Sequence, residues 1–456
     1  MNPTTLADVA RITGGTLHGT GDTTVDRVEV DSRKAGVGVL FAALPGEHVD
    51  GHDFVAAAIR DGAGGALVTR AVAEPCVVVD DVLTALSDLA RHQVAVDRPV
   101  VIGVTGSQGK TSVKDLLAHV LSAVGPTVAP VGSFNNELGV PLTVLRADAE
   151  TRFLVVEMGA RGIGHIAHLC RIAPPTVGVV LNVGTAHVGE FGSPDAIAVA
   201  KGELVEALGP DGTAVLNADD VRVAAMAART VAPVVTFGNR GDVRIDDLRL
   251  DDTGEPRFTL AHDDERFAVH VPQVGRHVAF NAAAAAAAAV AAGAPLDVVV
   301  ERLATAGAAS AMRMERHRRA DGVLVVNDAY NANPESMTAA LEAIAELPAG
   351  RRVAVLGEML ELGDLGPQAH HDVGRLAAVV GFDRVVAIGP GAAAIAEGAG
   401  AVGEAVPDVD VAVRTLSAWL TDGDVVLVKA SRGCRLERVV DALLDDAAPT
   451  EGSTTR

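Results

Sequence analysis

The sequence predicts an α/β protein of three domains: a small N-terminal α/β domain, a central parallel-sheet domain, and a C-terminal doubly wound, Rossmann-like domain. Three observations support this fold class. The chain has 456 residues, more than one domain usually contains. Short apolar segments alternate with helical segments in the middle of the chain and again near its end. A glycine-rich turn joins an apolar segment to a helical one near residue 106, as in phosphate-binding loops.

The N-terminal domain is predicted over residues 1–97. The segment TLHGTGDTTVDRVEVDSR has short strand patterns interrupted by turn residues. FVAAAIRDGAGGALVT has an amphipathic helical pattern that leads into a strand. The polar, proline-containing stretch VDRPV marks the expected linker to the next domain.

The central domain is predicted over residues 98–315. Its apolar strand segments are VVIGVTG, FLVVEMG, TVGVVLNVG, TAVLNADD and VVTFG, each followed by a helical or turn pattern. That alternation indicates a parallel sheet with crossover helices. Residues 243–274 are polar and alternating, which predicts an antiparallel meander. The alanine run of residues 282–292 is too short to span a membrane and predicts a buried helix.

The C-terminal domain is predicted over residues 316–445. GVLVVNDAY, RRVAVLGEM, RVVAIGP and DVVLVKAS read as strands, with a helical pattern after each. This order is typical of a second doubly wound sheet. The polar tail of residues 446–456 is expected to be disordered.

Composition narrows the functional classes. A net charge of -21 argues against nucleic acid as a partner, because a polyanion requires a basic surface. Three cysteines without metal-type spacing favour reduced thiols and a cytoplasmic location. The N-terminus has no basic segment followed by an apolar core, so no signal peptide is expected. No apolar run is long enough to predict membrane insertion.

The segment VTGSQGKTS predicts a phosphate-binding loop. Gly106 and Gly109 allow a tight turn and a close approach of backbone N–H groups to an anion. Lys110 supplies a positive charge for nucleotide phosphates, and Thr111 or Ser112 supplies a hydroxyl for Mg²⁺. The glycine usually found six residues before the lysine is absent, so the loop is a shortened variant. No N-K-x-D motif accompanies it, which argues against a GTPase switch.

Three further residues follow central strands or lie on a central helix. Glu157 ends a strand beside the phosphate loop, where a carboxylate is well placed to bind Mg²⁺. His187 follows another strand, and Lys201 lies in a helical pattern. Each also has a plainer interpretation: a solvated strand-end glutamate, a packed or surface histidine, and a solvated lysine. The residues alone leave both interpretations open.

Nearly the whole chain resembles the Mur ligases, ATP-dependent enzymes that build the peptide stem of peptidoglycan. VTGSQGKTS, VVEMG, LNVGTAHVG, AVAKGEL and VLNADD occur in the family's order. NDAYNANPESM is the most specific match, and FNNELGVPLTVL and VLGEMLELG support it. Within the family, these segments favour the member that adds D-alanyl-D-alanine to UDP-N-acetylmuramoyl-tripeptide. Where the family often has Asn after the histidine of VGRHVAFN, this chain has Val278.

The resemblance implies an ATP-dependent ligase that uses Mg²⁺ and a carbamylated Lys201, and that works as a monomer. It implies catalytic roles for Lys110, His187, Lys201 and Arg313. Thr111, Glu157, His187 and carbamylated Lys201 would hold the metal. Ser32 and Arg33 would bind the UDP-sugar, and Asn135 and Asn136 would line the substrate cleft. ATP would contact the phosphate loop and cleft residues Gly106, Ser107, Gln108, Gly109, Lys110, Thr111, Ser112, Asn281, Arg313, Asp328, Tyr330, Asn331 and Asn333.

Some of these residues also have structural interpretations. Tyr330 could cover a core, and Asn331 and Asn333 could be turn residues before the helix that begins at Pro334. Arg33 could be a solvated turn residue. Their roles in the cleft therefore depend on the resemblance rather than on residue type.

The implied reaction activates a carboxylate through an acyl phosphate, which the amine of D-alanyl-D-alanine then attacks. Three alternatives remain: a Mur ligase that adds a different amino acid, a folylpolyglutamate synthase-like ligase, and a non-catalytic nucleotide-binding scaffold. The segment YNANP and the DSR segment argue against the two other ligases. Lys110, Glu157, His187 and Lys201 argue against the scaffold. Release of ADP that requires both peptide substrates would separate them.

Overall fold

The computed structural model describes residues 1–46, 49–72, 75–185 and 188–445. It contains three main β-sheets in chain order, each packed against helices. The predicted α/β architecture with three domains is therefore confirmed. The predicted tail of residues 446–456 lies outside the described residues.

The N-terminal sheet is small and largely parallel, in the order β2-β7-β6-β5-β4, with β2 antiparallel to β7. β1 and β3 form a separate antiparallel ribbon. The first helix is fixed by its Thr5 N-cap, and Gly14 in the left-handed conformation ends it. The elements are β1 (Thr4–Thr5), α1 (Leu6–Thr13), β2 (Thr16–His18), β3 (Thr24–Val25), β4 (Arg27–Glu29), β5 (Val39–Ala42), α2 (Val55–Arg60), β6 (Gly65–Val68), β7 (Cys76–Val78) and α3 (Val82–Asp97).

The central sheet has the order β16-β15-β14-β13-β12-β11-β8-β10-β9. It is parallel from β14 to β9, and the predicted meander forms its antiparallel end, β14 to β16. Its strands are β8 (Val100–Thr105), β9 (Thr127–Val128), β10 (Phe153–Glu157), β11 (Val177–Val180), β12 (Thr213–Asn217), β13 (Val234–Gly238), β14 (Val243–Leu250), β15 (Pro256–His262) and β16 (Glu265–His270). Its helices are α4 (Lys110–Leu121), α5 (Gly139–Val144), α6 (His165–Ile172), α7 (Val188–Phe191), α8 (Pro194–Glu206), α9 (Val221–Ala224), α10 (His277–Ala291) and α11 (Leu296–Leu303).

The C-terminal sheet has the order β17-β18-β22-β19-β20-β21, parallel except for β17. β17 and β21 were not predicted: the first is polar, and the second is short and partly exposed. The strands are β17 (Glu315–Arg318), β18 (Leu324–Asp328), β19 (Arg352–Leu356), β20 (Arg384–Ile388), β21 (Gly403–Val406) and β22 (Val425–Lys429). The helices are α12 (Pro334–Ala345), α13 (Gly366–Val379), α14 (Ala393–Ala399), α15 (Val409–Ser417) and α16 (Glu437–Asp445).

Helix α10 is the buried helix that the alanine run predicted. Ala282 to Ala289 are all buried in the core between this helix, α4 and the central sheet. Alanine side chains are short, so the helix backbone lies close to its neighbours. This packing brings the first turns of α10, with His277 and Asn281, to the edge of the sheet that carries the phosphate loop.

Among the described residues, no helix combines the length and the apolar character needed to cross a bilayer.

Candidate functional site

The carboxyl ends of the central strands open into a cavity of about 1250 Å³. Residues of the central domain form one wall, and Asp328, Tyr330 and Lys429 of the C-terminal domain form part of the other. Open α/β sheets bind ligands at the carboxyl ends of their strands, so this position is the expected one for a ligand.

The phosphate loop lies between β8 and α4, at the base of the cavity. A Cβ at Gly109, where φ is 80°, would lie 2.8 Å from the Asn281 Oδ1 atom, so this turn requires glycine. No side chain caps the N-terminus of α4. Its first-turn N–H groups therefore lack partners within the helix and point to an anion site.

The side chains of Lys110 and Asn182 fix the shape of this loop. Lys110 Nζ donates to the Gly106 carbonyl at 2.8 Å. Asn182 Oδ1 accepts from the Gln108 N–H at 3.0 Å. Burial lowers the pKa of Lys110, the carboxylate of Glu157 opposes that effect, and the charge of Arg313 adds to it. The hydrogen bonds of Lys110 and Asn182 therefore hold the phosphate loop in its shape.

Glu157 ends β10 and lies against the first turn of α4. It is only 1 % exposed, so its interpretation as a solvated glutamate is wrong. Thr111 Oγ1 donates to Glu157 Oε2 at 3.0 Å, and Asn135 Nδ2 donates to Oε1 at 2.7 Å. Thr111 Oγ1 also lies 2.9 Å from the Ser133 hydroxyl. These oxygen atoms are the kind of ligand that Mg²⁺ prefers.

Lys201 lies on α8 and lines the same cavity. It is 4 % exposed, so its interpretation as a solvated surface lysine is wrong. Burial lowers its pKa well below the usual value, and the positive charge of Lys110 lowers it further. Burial and the neighbouring charge thus both disfavour the ammonium form of Lys201. His187, the remaining predicted metal ligand, lies outside the described residues.

Arg313 reaches into the cavity from the segment before β17. Its guanidinium stacks on the Tyr330 ring at 4.3 Å and donates to Thr111 Oγ1 at 3.3 Å. Its Nε atom is buried without a hydrogen-bond partner among the described residues. A buried, unpartnered donor beside the phosphate loop is suited to binding an anion.

The C-terminal wall is organised by Asp328 and Lys429. Lys429 Nζ donates to Asp328 Oδ2 at 2.6 Å and to the Asn331 carbonyl at 2.9 Å. Asp328 Oδ1 accepts from the Met314 N–H at 3.2 Å. The sequence analysis missed Lys429; its place at the end of β22, as one of only five lysines, was the available signal.

Asn333 has the structural role that its sequence context allowed. Its side chain accepts from the Ser336 N–H and caps α12, in a reciprocal arrangement with the Ser336 hydroxyl. It still lines the cavity. His277, the first residue of α10, is another cavity residue, and burial lowers its pKa.

The predicted UDP-sugar residues lie elsewhere. Ser32 and Arg33 form a short 3-10 helix after β4, and neither belongs to the lining of the cavity. Arg33 donates to both carboxylate oxygens of Asp31 at 2.8 Å, which lowers the pKa of Asp31 to about 2. The Arg33 side chain is 87 % exposed and accessible to a ligand. Asn135 and Asn136 do line the cavity.

Three family models match consecutive parts of the chain. The Mur ligase middle domain matches residues 104–289, and the Mur ligase glutamate ligase domain matches residues 312–432. The model described as the Mur ligase family catalytic domain matches residues 24–94.

Curated relatives match over nearly their full length. The UDP-N-acetylmuramoyl-tripeptide–D-alanyl-D-alanine ligase of Mycobacterium tuberculosis H37Rv is 44 % identical over 97 % of this chain and 98 % of its own. The enzyme of the same name from Escherichia coli K12 is 37 % identical over 98 % of this chain and 99 % of its own.

Solved structures agree. MurF from Acinetobacter baumannii has a TM-score of 0.90 and 34 % identity, covering 98 % of this chain and 99 % of its own. The Thermotoga maritima MurF ligase in complex with ADP has a TM-score of 0.82 and 31 % identity, covering 93 % of this chain and 98 % of its own. A folylpolyglutamate synthase of Mycobacterium tuberculosis, at 20 % identity and a TM-score of 0.62, shares the fold.

Proposed function

The chain belongs to the Mur ligase family, and from this premise we propose that it joins D-alanyl-D-alanine to UDP-N-acetylmuramoyl-tripeptide at the expense of ATP. The reaction belongs to the assembly of peptidoglycan precursors. The full-length similarity to ligases of that name supports this choice within the family.

One observation of the site carries the proposal: a single cavity brings together the phosphate loop, the unpartnered Nε atom of Arg313 and the buried amine of Lys201. A carboxylate and ATP are both anionic, so their reaction requires several positive or donating groups around the phosphates. The cavity supplies them in an otherwise acidic protein.

The chemistry proceeds in two steps. A terminal carboxylate oxygen of the tripeptide attacks the γ-phosphorus, the bond to the ADP oxygen breaks, and an acyl phosphate forms. The amine of D-alanyl-D-alanine then attacks the acyl carbon, and the resulting tetrahedral intermediate loses phosphate and a proton to give the amide. Lys110 and Arg313 offset the negative charge on the phosphates and hold them in line.

The donor set fits a divalent cation. Thr111, Glu157, His187 and Lys201 as its carbamate would hold Mg²⁺, which would offset the charge of the phosphate oxygens. A carbamate forms when a neutral amine adds CO₂, and burial beside Lys110 favours the neutral form of the Lys201 amine. Lys201 would then contribute anionic oxygen rather than a repelling ammonium.

The remaining assignments divide the substrates among the three domains. Ser32 and Arg33 in residues 1–97 would bind the UDP-sugar, and Asn135 and Asn136 would contact the peptide. Residues 98–315 would bind ATP, with Asn281 near the adenine. Residues 316–445 would complete the nucleotide site, with Asp328 at the ribose beside Tyr330, Asn331 and Asn333. We propose a monomeric cytoplasmic enzyme.

An ADP-release assay tests the function. ADP should appear only when UDP-N-acetylmuramoyl-tripeptide and D-alanyl-D-alanine are both present, and mass spectrometry should detect the UDP-linked pentapeptide. Lysine and diaminopimelate forms of the tripeptide should be compared. Lys110→Ala should abolish the signal, whereas Arg60→Ala is the control on an exposed basic residue. Product formation with glutamate, or none with either tripeptide, would contradict the proposal.

A further inference from the structure

Helix α12 lies at the interface between the central and C-terminal domains. Its 12 residues correspond to a length of about 18 Å. Its first turn lies beside the loop that follows β11, and its last turn lies against the end of the meander. The two ends of α12 therefore contact different parts of the interface.

The C-terminal end of α12 is packed closely and is poorly suited to separate. A Cβ at Gly275 would lie 3.0 Å from the Ala343 Cβ atom, and a Cβ at Gly254 would lie 2.4 Å from the Leu347 Cδ2 atom. Arg276 Nε donates to Glu346 Oε1 at 2.8 Å on the surface beside these contacts. The C-terminal end of α12 is therefore held to the central domain by close packing and one ion pair.

The N-terminal end of α12 makes its polar contact through Glu335. The Thr185 N–H donates to Glu335 Oε1 at 2.7 Å, and the Thr185 hydroxyl donates to Oε2 at 3.2 Å. A Cβ at Gly184 would lie 2.8 Å from the same carboxylate, so glycine permits this approach. Both oxygens of the Glu335 carboxylate thus accept hydrogen bonds from the central domain.

The same loop is connected to the phosphate loop. The Gly184 N–H donates to the Ser107 hydroxyl at 2.9 Å, and the Ser107 N–H donates to the Asn182 carbonyl at 3.1 Å. A continuous set of contacts therefore runs from Glu335 through Thr185 and Gly184 to Ser107. Glu335 of the C-terminal domain is therefore linked to the phosphate loop through Thr185, Gly184 and Ser107.

We propose that Glu335 is a positioning residue for the ligase reaction: its carboxylate fastens the C-terminal domain to the Thr185 loop and so holds Arg313 and Tyr330 against the phosphate loop. This inference rests on the proposed function. Glu335 is not among the residues that line the cavity, so it would act through the docking of the domain that carries Asp328 and Tyr330. The sequence gives no direct signal for it, because a glutamate in the first turn of a helix is commonly explained by the helix dipole.

Measurements of kcat and of ATP affinity distinguish a role of Glu335 in domain docking from a role in the local structure of the phosphate loop. Glu335→Ala should lower kcat by about ten- to one-hundred-fold, the range expected for loss of hydrogen bonds to a charged group. The dissociation constant of ATP should change by less than about threefold, because the contacts of Gly184, Ser107 and Asn182 remain. Unchanged kcat, or a loss confined to ATP binding, would overturn the proposal.

Two substitutions at the same position separate hydrogen bonding from charge. Glu335→Gln keeps an acceptor for the Thr185 N–H and a group that can bond to its hydroxyl, so activity should stay close to that of the wild type. Glu335→Asp keeps the charge but is one methylene shorter, so it should behave like Glu335→Ala. If Gln fails and Asp succeeds, the residue serves the helix dipole and the proposal is wrong.

Hydrogen exchange at the Thr185 amide gives a direct structural readout. Exchange should be faster in Glu335→Ala and unchanged in Glu335→Gln, measured in the full chain with an ATP analogue and both substrates. Glu346→Ala is the matched control, since it removes an exposed interdomain pair at the other end of α12 and should retain wild-type kinetics. Equal exchange in all variants would overturn the proposal. Absent ADP release in both the wild type and Glu346→Ala would instead refute the proposed function.

Discussion

At the residue scale, the site depends on which buried groups are charged. Lys110 and Lys201 line one cavity, and each has a lowered pKa for which burial is the main cause. Glu157 lies close enough to Lys110 to favour its charged form. The charge of Lys110 disfavours the charged form of Lys201. The two lysines therefore lie in different electrostatic surroundings, although burial lowers the pKa of both.

We expect Lys201→Ala to be nearly inactive and to regain part of its activity when small carboxylates are added. Lys201→Arg should stay inactive, because it restores a positive charge where the proposal requires an anion. ¹³C-bicarbonate NMR should show a carbamate signal in the wild type and none in Lys201→Ala. Activity should fall as the pH falls through the lowered pKa of Lys201, because the protonated amine cannot add CO₂. An active Lys201→Arg enzyme would refute the role.

Glu157→Ala should reduce kcat by about 10²- to 10³-fold, the usual effect of removing one group that offsets charge in a transition state. Saturating Mg²⁺ should not restore turnover. The loss of thermal stability should be small compared with the loss of kcat, because Thr111 and Asn135 can form hydrogen bonds to water instead. Glu150→Ala, on an exposed residue just before β10, serves as the control. Turnover near that of the wild type would exclude a metal-binding role for Glu157.

Residue types and order predicted the phosphate loop. The structure has the expected strand, glycine turn and helix, which are set by consecutive residues, and phosphate binding there stays a prediction. Lys429 was missed because its partner, Asp328, is a distant part of the chain brought near by the parallel pairing of β18 and β22. Glu335 was missed for the same reason: its partner Thr185 lies in another domain. Lys429 and Glu335 thus depend on partners that are distant in the sequence, whereas the phosphate loop is formed by consecutive residues.

At the element scale, α10 determines how closely the nucleotide site approaches the central sheet. Its buried alanines pack against α4 and the strands from β11 to β15. Larger side chains there would push the helix outward and move His277 and Asn281 away from Gly109. The sequence predicted this helix because the alanine run is longer than a strand and shorter than a membrane span.

Ala286→Leu should destabilise the protein by about 1–3 kcal/mol, the usual cost of adding volume to a packed core. The Michaelis constant for ATP should rise as well, since the first turns of α10 move. Ala291→Leu provides the control, because that residue is partly exposed on the same helix. Chemical denaturation and steady-state kinetics measure both effects. Equal stability of the two variants would show that α10 has room to adjust.

At the scale of the whole molecule, the site is divided between domains. The phosphate loop follows a strand of the central sheet, whereas Asp328 ends a strand of the C-terminal sheet and Tyr330 follows that strand. A ligand that contacts both domains favours the arrangement in which they are close. The sequence predicted the three sheets from local patterns, but the contacts between them, such as the hydrogen bond from Thr185 to Glu335, join residues that carry no distinctive motif.

Small-angle scattering should therefore show a smaller radius of gyration when an ATP analogue and both substrates are present than when they are absent. Lys110→Ala, which weakens nucleotide binding, should show a reduced change under the same conditions. Identical scattering curves for the wild type with and without ligands would contradict a closing motion.

The distribution of lysines has a practical consequence for labelling. Lys114 is buried against Asp115 and the Pro130 carbonyl, and Lys201 and Lys429 are buried as well. Lys110 is turned back onto its own loop. Lys34 remains as the accessible lysine side chain, 66 % exposed and adjacent to Arg33. An amine-reactive fluorophore would therefore attach, among lysines, mainly to the N-terminal domain, and its emission would test the proposed binding of the UDP-sugar there without any engineered cysteine.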